Sequence, residues 1–204
     1  MEFKTEQEKF WAGEFGNEYV ARNSDEKLVV GNLNVFSKVI SRTIGVKSVI
    51  EFGANIGNNM KALRALIPDV ELSAIEINKK AVEILKKQDV KVYAQSILDF
   101  EPDYKRDLAF IKGVLIHINP DELQNVYEKL YNSSKKYIFV AEYYNPFPVA
   151  VTYRGNEERL FKRDFAGEML DKYEDLELVD YGFVYHRDNN FAQDDVNWFL
   201  MQKK

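Results

Sequence analysis

Glu51, Gly53, Asn55 and Gly57 stand at alternate positions in the run VIEFGANIGNN (49–59), where a β-rich apolar stretch passes into a turn. An acid at the end of a buried strand, followed by a turn nearly free of side chains, suits a pocket where backbone amides approach a ligand. The helix that follows adds its positive N-terminal end. A tight strand-to-helix turn without any ligand uses the same glycines, and the glycine pattern alone does not separate the two readings. The second piece is Glu76, 19 positions after Gly57, near the end of the next apolar run VELSAIEI (70–77). A carboxylate at about that distance can accept both hydroxyl hydrogens of a ribose. Together the two pieces point to a nucleoside-containing cofactor. A dinucleotide usually asks for three glycines as G-x-G-x-x-G, whereas Asn55 takes the middle position here.

Candidates for acceptor chemistry lie further along. His117 closes the segment VLIH after the fourth apolar run, where it either shapes the pocket or takes a proton from an acceptor hydroxyl. Tyr143 and Tyr144 end the fifth run with Glu142 and Asn145, and are expected on the acceptor side. With His117 they are the catalytic candidates. Tyr153, Arg154, Arg159, Lys162 and Arg163 form a basic stretch interrupted by Glu157 and Glu158, which reads as a solvated loop or as a grip for an anion. Tyr131 and Lys135 have the Y-x-x-x-K spacing of short-chain dehydrogenases, but the intervening NSS breaks the helix such a pair needs. That spacing is read as coincidence. No Asp, Asp and Asn cluster at strand ends suggests a magnesium site.

The elements that must position these residues alternate. Strands are expected over 47–52, 70–77, 90–94, 107–114 and 136–144, with helices over about 58–67, 78–88 and 119–131 between them. Ala81, Ile84 and Leu85 share one helical face, and Asn119 before Pro120 is a helix start. Such alternation predicts a parallel α/β sheet with helices on both faces. A helix over 162–173 then leads to strands over 176–185 and 196–204 with only a loop between them, which predicts an antiparallel hairpin. Ahead of the core, residues 5–22 and 25–44 read as two cap helices. The expected organisation is cap helices over 1–44 and a catalytic domain over 45–204, within one globular unit.

This order of features resembles the class I S-adenosylmethionine-dependent methyltransferases over about residues 45–204. Glu51-x-Gly53-x-Asn55-x-Gly57 looks like their first motif, with Asn for the middle glycine, and Glu76 matches their ribose-binding acid. QSILDF (95–100) looks like their adenine-edge loop, which implies Ser96 and Ile97 beside the base. FIKGVLIHINPDEL (110–123) resembles the fourth-strand segment, which implies Lys112 and Gly113 beside the methionine moiety. The resemblance implies a Rossmann-like, mostly parallel seven-stranded sheet and S-adenosyl-L-methionine as cofactor, with no metal. In many such enzymes an N-terminal segment closes over the cofactor. Tyr19, Arg22 and Asn23 are the residues expected to do so, with Arg22 pairing with the methionine carboxylate. More narrowly, EKFWAGEFGNEYVARN (8–23) with KGVLIHINPDEL looks like methylases associated with pseudaminic acid biosynthesis. That implies a small polar acceptor such as a sugar, nucleotide sugar or related metabolite. The rival readings are an NAD(P)-dependent Rossmann oxidoreductase and a non-catalytic nucleoside-binding module.

Composition narrows the field. The chain has 204 residues, 46% of them hydrophobic and 30% charged, as in an ordinary globular protein with one good core. The absence of cysteine removes disulfides, thiolate metal sites and a cysteine nucleophile. A formal charge of −5 argues against broad phosphate-driven nucleic-acid binding. The single-proline YNPF (144–147) follows the fifth strand rather than the fourth, which argues against a nucleobase amino-methylase. The charged start MEFKTEQEKFW lacks an apolar signal core, and no apolar run approaches the roughly 20 residues a membrane span needs. A cytoplasmic protein with a small-molecule substrate, and neither nucleic acid nor membrane as partner, is the expectation.

Overall fold

The computed structural model describes residues 3–23 and 26–204. Its centre is a seven-stranded sheet built from β1 (Ser48–Phe52), β2 (Glu71–Glu76), β3 (Lys91–Ala94), β4 (Arg106–Lys112), β5 (Ser134–Glu142), β8 (Leu176–Val184) and β9 (Val196–Lys203). The spatial order is β3-β2-β1-β4-β5-β9-β8, parallel as far as β5, with β9 and β8 antiparallel. This is the expected sheet and closing hairpin, with β9 inserted between β5 and the edge strand. Buried on both faces, β1 carries an unbroken inward run, as a central parallel strand must.

Strand alternation divides the core in two. Val49 and Phe110 face the side covered by α3 (Lys27–Ser41), whose Phe36 ring lies 5.2 Å from Phe110 and 5.6 Å from Phe139. Helices α4 (Asn58–Leu66) and α5 (Lys79–Leu85) share that face. Ile50, Phe52 and Ile111 face α6 (Leu123–Ser133) and α7 (Phe165–Lys172) on the other. The crossover therefore changes face between β1 and β4. In open sheets of this kind ligands bind beyond the carboxyl ends of the strands at that switch.

Three local expectations are corrected. The single helix expected over 5–22 is two, α1 (Glu6–Ala12) and α2 (Glu14–Arg22), broken at Gly13 in an extended conformation. They fold back closely, since a Cβ at Gly16 would stand 1.8 Å from the Trp11 carbonyl oxygen. The helix expected over 25–44 corresponds to α3; residue 25 lies outside the described residues. The basic stretch, read as a solvated loop or as a grip for an anion, is not a loop: it forms a second sheet, β6 (Val149–Tyr153) paired antiparallel with β7 (Asn156–Lys162). Arg154 (φ 49°) and Gly155 (φ 81°) make its turn with the positive φ pair that tight hairpins use. Helix α7 consequently starts only at Phe165, with the Asp164 side chain accepting from the Gly167 amide. Among the described residues, no helix is long and apolar enough to cross a membrane.

Candidate functional site

At the carboxyl ends of β1, β2 and β4 lies a cavity of about 550 Å³, roofed by α1 and α2 and closed on one side by the loop before β9. That volume falls within the range of small-molecule sites.

The wall at β1 is the glycine turn. Gly53 (φ 79°) and Asn55 (φ 48°) both take left-handed backbone, which asparagine tolerates better than most side chains. Gly53 donates its amide to the Ile75 carbonyl (2.9 Å), and a Cβ there would meet the Val114 side chain at 2.7 Å. Any side chain at Gly53 is thus strained even without a ligand. Gly57 does not reach the cavity wall. Its missing Cβ instead makes room for Leu85 and Gln88, so it serves packing of α4 against α5. Glu51 is also off the wall: fully buried, it accepts a 2.5 Å bond from Asn59 Nδ2 through Oε1 and leaves Oε2 without a partner. Burial pushes its carboxyl up to about 8, against the pull of the Asn59 amide and the Lys112 charge.

Glu76 lies on the wall at the end of β2. Its two oxygens each accept a 2.7 Å amide bond, Oε2 from Asn55 and Oε1 from Asn78, which ties the glycine turn to the start of α5. Each carboxylate oxygen keeps a second lone pair for a ligand hydroxyl. Ser96, Ile97 and Leu98 continue the wall beyond β3. Lys112 and Gly113 (φ 66°) end β4, and Gly113 donates to the Ala141 carbonyl at 2.9 Å.

His117 ends a 3₁₀ turn over Leu115–His117 and lines the cavity. Its Nδ1 donates to the Arg159 carbonyl (2.6 Å) on β7, so the neutral ring carries its lone pair on Nε2. Burial pushes the imidazole down to about 4. Its ring packs between Trp11 (4.7 Å) and Tyr153 (4.9 Å). Of the pair ending β5, Tyr143 reaches the cavity and Tyr144 does not. Both follow the last residue of β5, and Tyr144 lies exposed beside Phe199. Glu142 turns inward to cap the 3₁₀ turn through the Val114 and Leu115 amides, and Asn145 bonds the Phe147 carbonyl.

The roof is partly as expected. Tyr19 and Asn23 line the cavity, and the Asn23 carbonyl accepts from Asn58 Nδ2 (2.8 Å). Arg22, the expected partner of the methionine carboxylate, is not on the wall. One residue is about 100° of helical turn from Asn23, and its guanidinium lies over the Phe15 and Tyr19 rings beside Glu18 (3.7 Å). Reading the sequence also missed how the roof is fastened. Buried Glu8 closes a capping box with Thr5 and bonds the Ser96 hydroxyl; Asn78 Nδ2 donates to the Trp11 carbonyl (3.2 Å) and to Asn17 Oδ1 (3.1 Å). Gln7 reaches the Glu158 carbonyl on β7 (3.0 Å). The T-x-x-E pattern at 5–8 was a local signal for the cap, but nothing local announces the Ser96 bond.

Tyr131 and Lys135 lie elsewhere: Tyr131 stacks on Tyr173 (3.8 Å) and bonds Asp175, while Lys135 approaches Asp107. Their dehydrogenase-like spacing is structural.

No protein-family model and no curated protein matches the chain in sequence. Solved structures do match its fold. The plantazolicin methyltransferase in complex with S-adenosylhomocysteine is 12% identical, with a TM-score of 0.68 over 97% of this chain and 94% of that one. The Burkholderia thailandensis 1,6-didemethyltoxoflavin-N1-methyltransferase, with its acceptor and S-adenosylhomocysteine bound, is 12% identical, with a TM-score of 0.69 over 97% and 87%. The Synechocystis magnesium protoporphyrin IX methyltransferase with bound S-adenosylhomocysteine is 11% identical, with a TM-score of 0.69 over 97% of each chain. At this identity the likeness establishes a shared Rossmann-like fold.

Proposed function

We propose that this chain is an S-adenosylmethionine-dependent methyltransferase acting on a small polar acceptor. The observation that carries the reading is the antiparallel β9 inserted between β5 and β8, in a sheet whose glycine turn and Glu76 meet at one cavity. A dinucleotide-binding sheet runs in the order 3-2-1-4-5-6 without that insertion. The shared fold of three methyltransferase structures holding S-adenosylhomocysteine supports the same choice over an oxidoreductase.

The residues present fit the cofactor. Glu76 takes the ribose hydroxyls, Ser96 and Ile97 flank the base, and Gly53 and Asn55 let backbone approach the ligand. Bound S-adenosylmethionine supplies a methyl group on a sulfonium, for in-line displacement by an acceptor lone pair. The chain's own work is positioning and exclusion of water. His117 offers neutral Nε2 as a hydrogen-bond acceptor that orients a hydroxyl or amine, its tautomer held by the Arg159 carbonyl; with its imidazole pushed down to about 4 it is a weak base for the proton itself. Tyr143 stays protonated, since burial and the neighbouring Asp194 raise its phenol; its one O–H goes to Asp194, which leaves the phenolic oxygen to accept from the acceptor. The resemblance of residues 8–23 and 112–123 to pseudaminic acid-associated methylases supports a sugar, nucleotide sugar or related metabolite as acceptor.

Calorimetry with S-adenosylhomocysteine and with NAD(P) separates the main rivals: heat of binding is expected for the first and none for the second. Incubation with S-adenosylmethionine and a panel of nucleotide sugars and nonulosonic acid precursors should then add the mass of one methyl group to one of them. Binding of NAD(P) instead would refute the reading, and cofactor binding without any methylated product would favour a non-catalytic module.

A further inference from the structure

With His117 too weak a base, the proton of an acceptor hydroxyl needs another destination on the cavity wall. The three acids on the described wall are engaged. Both oxygens of Glu76 accept backbone amides, those of Glu8 are bonded at the α1 cap and at Ser96, and Asp194 takes the Tyr143 hydroxyl. The chain has two histidines, and the second, His186, lines the same cavity.

Strand register puts His186 on the acceptor side. Val196, where β9 begins, stands opposite Val184 at the end of β8, and Asn197 stands opposite Glu142 at the end of β5. His186 and Asp195 therefore close the 185–195 loop near Tyr143, the residue after Glu142. Lys162 of β7 links the two places: its ammonium lies 5.1 Å over the Tyr143 ring and acts on the Asp195 carboxylate.

The ring is also oriented. The His186 amide donates to Asp195 Oδ1 (3.0 Å), and the ring Nδ1 lies 2.9 Å from each Asp195 oxygen. The amide bond, then the ring bond, hold the Asp195 carboxyl below its usual range. An ionised carboxylate only accepts, so Nδ1 carries the hydrogen and the neutral ring keeps its lone pair on Nε2. No described residue bonds Nε2, and the side chain is 55% exposed, so a proton taken there can pass on to water. The loop itself is fastened, since Gln193 Nε2 donates to Asn32 Oδ1 on α3 (2.7 Å). The amide bond alone would close the loop; a ring held by a carboxylate with its second nitrogen free is the arrangement of a general base.

We propose that His186 Nε2 takes the proton of an acceptor hydroxyl, with Asp195 as its positioning residue. The assignment rests on the methyltransferase reading. As the hydroxyl oxygen bonds the methyl carbon, the carbon–sulfur electron pair leaves with sulfur and the hydroxyl proton moves to Nε2. Asp195 balances the imidazolium charge until water removes the proton. His117 keeps the task of orienting the acceptor.

Nitrogen-15 NMR of the histidine rings tests the orientation without any acceptor. In the full chain with S-adenosylhomocysteine, neutral His186, identified by its loss in His186→Gln, is expected as the Nδ1–H tautomer. Asp195→Asn, whose amide can donate or accept, should mix the two tautomers. An Nε2–H ring in the unaltered chain, or an unmixed tautomer in Asp195→Asn, would overturn the assignment. Turnover is then read on whichever nucleotide sugar or nonulosonic acid precursor gains a methyl group. His186→Ala should lower kcat about 10²- to 10⁴-fold, the usual worth of a general base, with S-adenosylhomocysteine affinity unchanged in calorimetry. Added imidazole should restore part of that rate, whereas the loss in His117→Gln should appear in KM and resist imidazole. Full kcat in His186→Ala, or a loss that imidazole leaves untouched, would overturn the assignment. If the unaltered chain methylates nothing in the panel, the methyltransferase reading fails first, whatever the His186 tautomer, so the two failures are distinguishable.

Discussion

Replacing Glu8 by alanine should loosen the roof of the cavity while leaving the sheet intact. One carboxylate there does two jobs. Its Oε2 accepts from the amides of Lys4 (2.6 Å) and Thr5 (2.9 Å) to complete the α1 cap, and its Oε1 holds the Ser96 hydroxyl across a sequence separation of 88 residues. A lost cap costs about 0.5–2 kcal/mol. A lost charge-assisted bond in a buried setting costs about 1.5–3 kcal/mol. Because one side chain makes both, the terms overlap, and about 2–3 kcal/mol is a fair figure for the easier opening of α1 and α2. That corresponds to roughly a 30- to 150-fold rise in the open population, at about 1.4 kcal/mol per factor of ten. Hydrogen–deuterium exchange read over residues 6–22 should speed up by this factor, limited only by the rate of the fully open segment. Peptides from β1 and β4 should exchange as before. Ser96→Ala, which spares the cap, should reproduce only part of the effect. Unchanged exchange in Glu8→Ala would show that Asn78, Gln7 and the aromatic packing hold the roof alone. Equal acceleration in β1 would show that Glu8 supports the whole fold.

Glu76→Gln should weaken S-adenosylhomocysteine binding by about 1.5–3 kcal/mol, and the loss should shrink for 2′,3′-dideoxyadenosine, which offers no ribose hydroxyls. Equal losses for both ligands in calorimetry would mean that Glu76 acts only through the Asn55 and Asn78 amides. For His117, a folded-state value near 4 against an ordinary 6.5 means that the unfolded chain binds the extra proton in between. Stability owed to neutral His117 is therefore present above about pH 6.5 and lost as pH falls toward 4, by roughly 3 kcal/mol. His117→Gln should flatten that part of the denaturation profile, and an unchanged slope would show that His117 is not buried as described.

Much of the fold was legible because its signals are local. Each parallel strand is an apolar run, and the amphipathic face of α5 is written in Ala81 and Leu85. The hairpin of β6 and β7 was illegible for the same reason inverted. Its first strand is mostly exposed, so no alternation marks it, and its charged residues imitate a loop. The break at Gly13 was hidden because Phe10, Trp11, Phe15 and Tyr19 keep a helical rhythm straight across it. What makes it a break is the close return of α2 onto the Trp11 carbonyl at Gly16, a tertiary fact.

The site divides along the same line. Residues whose direction follows from strand or turn geometry could be placed from spacing, as with Gly53, Asn55 and Glu76. Of the two cations expected there, Lys112 reaches the wall and Arg22 does not. Arg22 and Lys112 make the contrast sharp, because residue type favoured the guanidinium as the carboxylate's partner. An exposed helix surface offers Arg22 the Phe15 and Tyr19 faces and Glu18 at little desolvation cost, so nothing drives it inward. Lys112 has no such escape. It leaves the end of a buried strand between two covered faces, and its stem can lead only to the cavity. The backbone decides which cation is available to a ligand before charge does.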